Sequence, residues 1–246
     1  MRVPQRLERD TLIECTAEVW FTSPELSAAE LLPGLLFQSV GKQFPRLQRL
    51  PGADIPKNIR STNPSLQRLP LQVLEGDFRK ILIGDRSLGI SFQKPYPGWS
   101  AAQPIINEVI NALANSGLAL QMERASLKYS NLIESSNEVD QLELVDVGLS
   151  INGFELRRPG RFIRGEIEKG ELRCIIDVKT GATAHFKGRS AEGMLLEIDV
   201  IGLQLPSNQY GEYPRLLDQL HDMAKEVFFR TLKQTTIESL GPVWSL

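Results

Sequence analysis

Cysteine and histidine are scarce in this sequence, and their scarcity limits the sites that the chain can build. The 246 residues include two cysteines, Cys15 and Cys174, and two histidines, His185 and His221. Two cysteines are too few for a disulfide framework, and two histidines exclude a histidine-rich metal site. Both cysteines lie in strand-like segments, so we expect buried thiols, a reducing cytoplasmic compartment, and neither a cofactor nor a metal ion.

Long apolar runs and an excess of one charge are also missing. No run of roughly 18 apolar residues occurs, which predicts that no segment spans a membrane. The first residues, MRVPQRLERDTLIEC, carry charges where a signal peptide needs an apolar run. The formal net charge is −2, so the chain as a whole has no bias toward nucleic acid or acidic membranes. These absences predict a soluble, cytoplasmic protein.

Apolar residues recur with two different periods along the chain, which indicates both strands and helices. Period-two alternation, typical of half-buried strands, occurs in residues 11–21, 71–93, 120–134 and 140–151. Helical spacing occurs in residues 23–45, 100–118 and roughly 212–238. The order of these segments predicts an α+β fold, with a largely antiparallel sheet of about ten strands and three main helices packed on one face.

The length of the chain allows one large domain or two smaller ones. We predict a single α+β domain over residues 1–246, with a two-lobe division into 1–136 and 137–246 as the alternative. Residues 46–70 contain several prolines and polar residues, so a flexible loop is predicted there.

The closing helix carries His221 within the stretch LLDQLHDMAKEVFFRTL. On a helical wheel the apolar and charged residues separate onto two faces, and His221 lies at the seam between them. A histidine at such a seam usually packs its ring and hydrogen-bonds its tip, so packing is favoured over a catalytic role. Phe229 falls on the charged side, where it is either an exposed contact for a partner or covered by a second layer of the fold.

Two predicted strands place polar side chains where a binding site could use them. In LKYSNLI (127–133), Tyr129 and Asn131 share an apolar face and need hydrogen-bond partners there. A structural network is favoured for this pair, and the floor of a ligand pocket is the alternative. In LLEIDVI (195–201), Glu197 and Asp199 share a face, which more often marks the solvated side of a strand than a metal or hydrolytic pair.

The most specific enzymatic interpretation concerns RCIIDVKTG (173–181). Here Asp177 and Lys179 match the pattern of an acidic residue, any residue and then a lysine on an apolar strand. Metal-dependent nucleases use that pattern, the acid binding a divalent ion and the lysine steadying the attacking water. An earlier acid is also needed, and Glu166 could supply it in the right strand register. However, the next residues predict another strand where such enzymes have a helix, so a turn at Lys-Thr-Gly after an ordinary strand is favoured. No phosphate loop or serine nucleophile elbow is present.

Basic residues are concentrated in two segments. Residues 42–94 hold ten basic and four acidic residues, and the second cluster consists of Arg157, Arg158, Arg161 and Arg164. Together they would make a phosphate-binding surface, yet the aromatic residues of a single-strand binder are missing. Ion pairs and solvated faces are favoured over nucleic-acid binding because the whole chain is not basic.

Four segments together resemble a known family: PYPGW (95–99), LKYSNLI (127–133), LLEIDVIG (195–202) and LHDMAKEVFFRTL (220–232). Their order and spacing are similar to those of a sporadically distributed prokaryotic family of uncharacterised proteins. Its members show a Tyr-Pro-Gly-Trp turn, an Arg-Tyr-Ile-Asn-like strand, a Leu-Asp-Ile-Asp-like strand and a closing Leu-His…Phe helix. Lys128 and Glu197 depart from the pattern, and the matching positions are Tyr96, Trp99, Tyr129, Asn131, Asp199, His221 and Phe228. The resemblance implies a prokaryotic protein and no particular activity.

These observations predict a non-enzymatic binding or assembly subunit of a prokaryotic multi-protein system, with phage defence as the setting that the patchy distribution suggests. The expected partner is a protein from the same operon, and a second copy of the chain is a further option. The candidate binding residues are Trp99, Tyr129, Asn131, His221, Phe229, Arg157, Arg158 and Arg161. The alternatives are the metal-dependent nuclease and a helix-grip-like protein that encloses a small apolar ligand.

Overall fold

The computed structural model describes residues 3–22, 28–118, 120–135, 138–148, 150–152, 154–155, 162–186, 188–205 and 209–244. The helices are α1 (Ala28–Val40), α2 (Lys57–Thr62), α3 (Trp99–Ala114), α4 (Tyr213–Thr231) and α5 (Gln234–Ser239). The strands are β1 (Arg6–Leu7), β2 (Leu12–Thr22), β3 (Arg46–Arg49), β4 (Pro70–Gly76), β5 (Arg79–Gly84), β6 (Ser87–Gln93), β7 (Gln121–Glu134), β8 (Ser150–Ile151), β9 (Phe154–Glu155), β10 (Phe162–Lys169), β11 (Leu172–Phe186), β12 (Arg189–Gly202) and β13 (Pro242–Val243).

Nine of these strands form one largely antiparallel sheet in the order β10-β11-β12-β7-β2-β6-β5-β4-β3. Two smaller ladders pair β1 with β13 and β8 with β9. The α+β fold with a largely antiparallel sheet, predicted from the sequence, is confirmed. Among the described residues, no helix has both the length and the hydropathy that crossing a bilayer requires.

The chain forms two compact units, each assembled from separate segments. The first unit contains Met1–Ile13, Lys128–Val200 and Leu220–Leu246, and the second contains Glu14–Leu127 and Ile201–Gln219. The boundary at residues 136 and 137 that the sequence offered as an alternative therefore falls inside the first unit.

The second unit has an apolar core between its helices and strands. Ala17 on β2 lies opposite Ile90 on β6, which in turn lies opposite Ile81 on β5, and all three are buried. Helices α1 and α3 contact each other and the strands β4 to β6, burying Leu36 and Ile106. Burial of each large apolar side chain in this core contributes roughly 1.5–3 kcal/mol to the free energy of unfolding. The core is therefore a major source of the stability of the unit.

Residues 46–70, predicted as a flexible loop, contain β3, a 3₁₀ turn at Pro51–Asp54 and the short helix α2. Arg60 on α2 is buried, and its Nε donates to Asp85 Oδ2 at 3.0 Å. The same guanidinium also donates to the carbonyl of Ile55. The segment therefore has regular structure and a buried anchor, while its mobility stays a prediction.

In the first unit, the closing helix is interrupted where the sequence predicted one continuous helix to residue 238. α4 ends at Thr231 because the next residue, Leu232, forms a β-bridge with Val145. The amide of Lys233 donates to the carbonyl of Leu144, and α5 then resumes the helix. Most of the alternating segment 140–151 is correspondingly not a strand: it forms a 3₁₀ turn at Glu138–Leu144 and reaches strand geometry again at β8.

The predicted turn at Lys179-Thr180-Gly181 is wrong, since β11 runs without a break from Leu172 to Phe186. Gly181 adopts a positive φ of 66° inside this strand, and its amide donates to Gln141 Oε1 at 2.8 Å. A glycine with positive φ, held by a side-chain hydrogen bond within the strand, thus stands where a turn at Lys-Thr-Gly was predicted.

Candidate functional site

His221 packs against strand β7 in the first unit, as the helical seam predicted. The phenol oxygen of Tyr129 and His221 Nδ1 are hydrogen-bonded at 2.8 Å, and the two ring centroids are 5.9 Å apart. Burial, followed by the positive charge of Lys225 one turn along α4, lowers the pKa of His221 to about 4. The imidazole is therefore neutral at pH 7, and its tautomer decides whether Nδ1 or the phenol donates in this hydrogen bond.

Asn131 belongs to a separate hydrogen bond at the start of strand β2. The hydroxyl of Thr11 donates to Asn131 Oδ1 at 3.1 Å, and both residues are buried. A buried amide needs such a partner, so Asn131 holds the entry of β2 against β7. Tyr129 and Asn131 thus each have a structural partner, and neither lines the groove described below.

Phe229 is not an exposed contact, contrary to one of the two interpretations of the helical wheel. Its side chain is only 4% exposed, and it meets Phe228 edge-to-face with ring centroids 5.1 Å apart. The expectation of exposure is wrong because a wheel describes one helix in isolation and cannot show which other parts of the fold contact it. Phe229→Ala would therefore remove core packing and cannot test a binding surface.

The remaining candidate binding residues are Trp99 and the arginines of residues 157–161. Trp99 is the first residue of α3, directly after Gly98 with its φ of 88°, and its side chain is half-buried. Arg157, Arg158 and Arg161 lie outside the described residues. Arg164 of the same cluster lies on β10, where Nη1 approaches Asp177 Oδ2 at 3.4 Å. The role of Arg157, Arg158 and Arg161 in binding a partner stays a prediction.

The carboxylate of Glu197 organises the polar side of strands β7, β11 and β12. Glu197 contacts Lys128 Nζ at 2.6 Å and Lys179 Nζ at 2.5 Å, and it accepts from the hydroxyl of Ser130 at 3.1 Å. Burial opposes ionisation of Glu197, but the hydrogen bonds from both lysines outweigh it and lower the pKa to about 2. We call these four residues the Glu197 cluster.

The three nuclease candidates, Asp177, Lys179 and Glu166, each lie near a side chain of opposite charge. Lys179 is paired with Glu197, and Asp177 faces Arg164 across the strand pair. Glu166 lies opposite Ile175, two residues from Asp177 along β11, but its carboxylate approaches Arg173 at 3.9 Å. Within the described residues, no group of three or more histidine, cysteine or acidic side chains is arranged to hold a metal ion. These contacts favour structural ion pairs, and magnesium- or manganese-dependent cleavage that Asp177→Ala abolishes would establish the nuclease instead.

A groove of about 410 Å³ lies between helix α4 and strands β10 and β11. We call it the α4 groove. Its apolar lining consists of Val147, Ile163, Ile167, Ile176, Val178 and Val227. Val147 and Ile167 are 39% and 46% exposed, so the apolar lining reaches the surface. The polar residues that also line it are Asp146, Arg164, Arg230 and Thr231.

No protein-family model matches the chain, and a search of curated proteins finds no match. The resemblance carried by the four short segments therefore stays an expectation.

The α4 groove is the feature that the sequence interpretation missed. Its signal was present in FIRGEIE (162–168), where Ile163, Gly165 and Ile167 alternate with charged residues. That alternation predicts one apolar face on β10, but it does not show that the covering helix leaves part of the face open.

Glu197→Gln tests the cluster, and we expect it to lower the free energy of unfolding at pH 7 by about 1–2 kcal/mol, a value reduced for the partial exposure of both lysines. Because the folded pKa of Glu197 lies below its ordinary 4.5, this stabilisation is present above pH 4.5 and is lost as the pH falls toward 2. Urea titrations followed by circular dichroism measure it. Glu168→Gln is the matched control, since the Glu168–Arg173 pair is exposed and its loss should cost less than about 0.5 kcal/mol. Equal losses in both variants would contradict a special role for Glu197.

Proposed function

We propose that the protein is a non-enzymatic binding subunit and that the α4 groove holds apolar side chains of a partner polypeptide. The observation that carries this proposal is the open apolar lining of the groove, with Val147 and Ile167 each more than a third exposed. Apolar surface of this kind is costly to leave in water, and covering it is the main driving force of protein association.

The chemistry of the surrounding residues supports binding rather than catalysis. The polar groups that first suggested an active site pair with one another, in the Glu197 cluster and in the Tyr129–His221 hydrogen bond. The α4 groove instead offers mostly aliphatic side chains with a few charged residues beside them. That composition resembles the apolar centre and polar border of a protein interface.

The setting we propose is a prokaryotic multi-protein system, with phage defence as the candidate role and a protein from the same operon as the partner. The support for this setting is the resemblance of the four segments alone. The groove itself specifies a partner that presents apolar side chains.

Val147→Asp tests the proposal, because it puts a charge into the lining at a position exposed enough to leave the fold intact. Each protein encoded beside this gene is co-expressed with the chain, and the affinity of any complex is measured by isothermal titration calorimetry. Loss of one buried valine corresponds to roughly 1.5–3 kcal/mol, so the dissociation constant should rise at least about 10-fold. Leu47→Asp is the matched control, since Leu47 on β3 is similarly exposed but does not line the groove. Unchanged affinity of Val147→Asp would remove the groove as the binding surface.

A small apolar ligand is the second candidate occupant, and the volume favours it. A groove of about 410 Å³ lies within the range of small-molecule sites, which is roughly 300–1,000 Å³. Native mass spectrometry of the purified protein should then show a retained ligand that Val147→Asp releases. If a neighbouring gene product binds and mass spectrometry shows no retained ligand, the occupant of the groove is the partner polypeptide.

A further inference from the structure

Strand β10 is an edge of the nine-stranded sheet, and in the described part of the chain it pairs with β11 alone. Its side chains are exposed along nearly the whole strand, and none of its residues is a proline. An edge strand presents alternate amide and carbonyl groups that can accept another strand. The opposite edge, β3, is protected by a length of only four residues and an arginine at each end. Strand β10 is twice as long, with eight residues.

The sequence of β10 is complementary to itself in one antiparallel register. With Gly165 opposite Gly165 of a second copy, Arg164 lies opposite Glu166 and Ile163 lies opposite Ile167, each pair occurring twice. Opposite charges and apolar pairs directly across a strand pair are both stabilising. Moving the centre by one residue places Arg164 against Arg164 or Glu166 against Glu166, and like charges in that position are destabilising. Only the Gly165-centred arrangement satisfies all of these pairs.

We propose that two copies of the chain associate by pairing their β10 strands antiparallel about a two-fold axis through Gly165. The partner is a second copy because the strand's own charges and isoleucines complement themselves in this register. A two-fold axis perpendicular to the sheet keeps each side chain on its own face, so the charged pairs and the apolar pairs form on opposite faces.

Gly165 suits the position on the axis. A Cβ built there would meet no atom within 4 Å, so its hydrogen side chain leaves open space on this face. The neighbouring isoleucines on the same face, Ile163 and Ile167, both line the α4 groove. Pairing therefore brings the apolar linings of two grooves together across the axis.

Analytical ultracentrifugation of the full chain at about 100 µM tests the pairing. The wild-type protein should sediment with twice the 27.6 kDa mass of one chain. Gly165→Glu and Gly165→Lys should each be monomeric, because either variant sets two like charges against each other at the axis. An equimolar mixture of the two should regain the dimer, since opposite charges then meet. A monomeric wild type, or variants that remain dimeric on their own, would overturn the proposal.

A second set of variants tests the register and keeps the result independent of Gly165. Arg164→Glu and Glu166→Arg should each weaken the dimer at least about 10-fold, because each brings like charges together twice. The double variant restores opposite charges across the axis and should dimerise at least about 3-fold more tightly than either single variant. The exchanged charges also face Asp177 and Arg173 of the same chain, so wild-type affinity is not fully recovered. Circular dichroism confirms that each variant is folded. A double variant that dimerises as weakly as the single variants would contradict this register. Partner binding in the α4 groove is measured separately through Val147→Asp, so a monomeric chain would leave that proposal standing.

Discussion

Asp85→Ala should lower the free energy of unfolding by about 3–4 kcal/mol, because it removes the carboxylate that pairs with a buried guanidinium. Arg60 and Asp85 meet at 3.0 Å with side chains only 9% and 16% exposed. Removing the carboxylate leaves the guanidinium of Arg60 buried against a single carbonyl, that of Ile55. An uncompensated buried charge of this kind costs far more than the pair itself contributes.

Urea unfolding followed by circular dichroism measures the global effect, and hydrogen exchange locates it. We expect the amides of α2 and the preceding 3₁₀ turn to lose protection first, since Arg60 is the residue that anchors them. Asp54→Ala is the matched control in the same segment, because the Arg49–Asp54 pair is exposed and should contribute less than about 1 kcal/mol. A loss below about 1 kcal/mol in Asp85→Ala would show that Arg60 finds water or another partner.

His221 should make the protein less stable as the pH falls from 7 to 5, by about 1–2 kcal/mol after allowance for its partial exposure. Its folded pKa of about 4 lies below the ordinary value of 6.5. The stabilisation is thus complete above pH 6.5 and is lost as the pH falls toward 4, because the unfolded chain binds the proton more readily. The Glu197 cluster loses its own contribution only below pH 4.5, so the two effects occupy different ranges.

Chemical denaturation at the two pH values measures the slope, and two variants identify its cause. His221→Gln should abolish the His221 contribution to the difference between pH 7 and pH 5, since glutamine can hydrogen-bond the Tyr129 phenol but does not titrate. Tyr129→Phe should retain it, because burial and Lys225 lower the pKa. A pH-independent Tyr129→Phe protein would mean that the phenol, rather than burial, holds the imidazole neutral.

Regular alternation and helical spacing were sufficient to place the elements of the core. Strand β7 was expected at residues 120–134 and runs from Gln121 to Glu134, and β2 differs from its expected bounds by one residue at each end. Segment 140–151 also alternates, yet its first residues belong to the 3₁₀ turn at Glu138–Leu144 instead of a strand. Val145 in this segment forms an isolated bridge with Leu232, which is remote in sequence. Local periodicity cannot reveal such a contact.

The candidate site was less predictable because it depends on strand order and register. The Glu197 cluster draws residues from β7, β11 and β12, which are neighbours in the sheet but not all consecutive in the chain. The sequence indicated that Glu197 faces solvent, but nothing local showed that two lysines would meet it. His221 was easier, since its place at the helical seam depends on α4 alone.

The pairing of β1 with β13 determines how the first unit would respond to mechanical load. The amide of Gln5 donates to the carbonyl of Val243 and the amide of Glu8 donates to that of Gly241, so Pro4 and Trp244 lie at the same end of this ladder. A force applied between Pro4 and Trp244 would break the hydrogen bonds of the ladder one after another instead of shearing them together. The ladder is therefore the weak point under tension, and it would yield before the nine-stranded sheet.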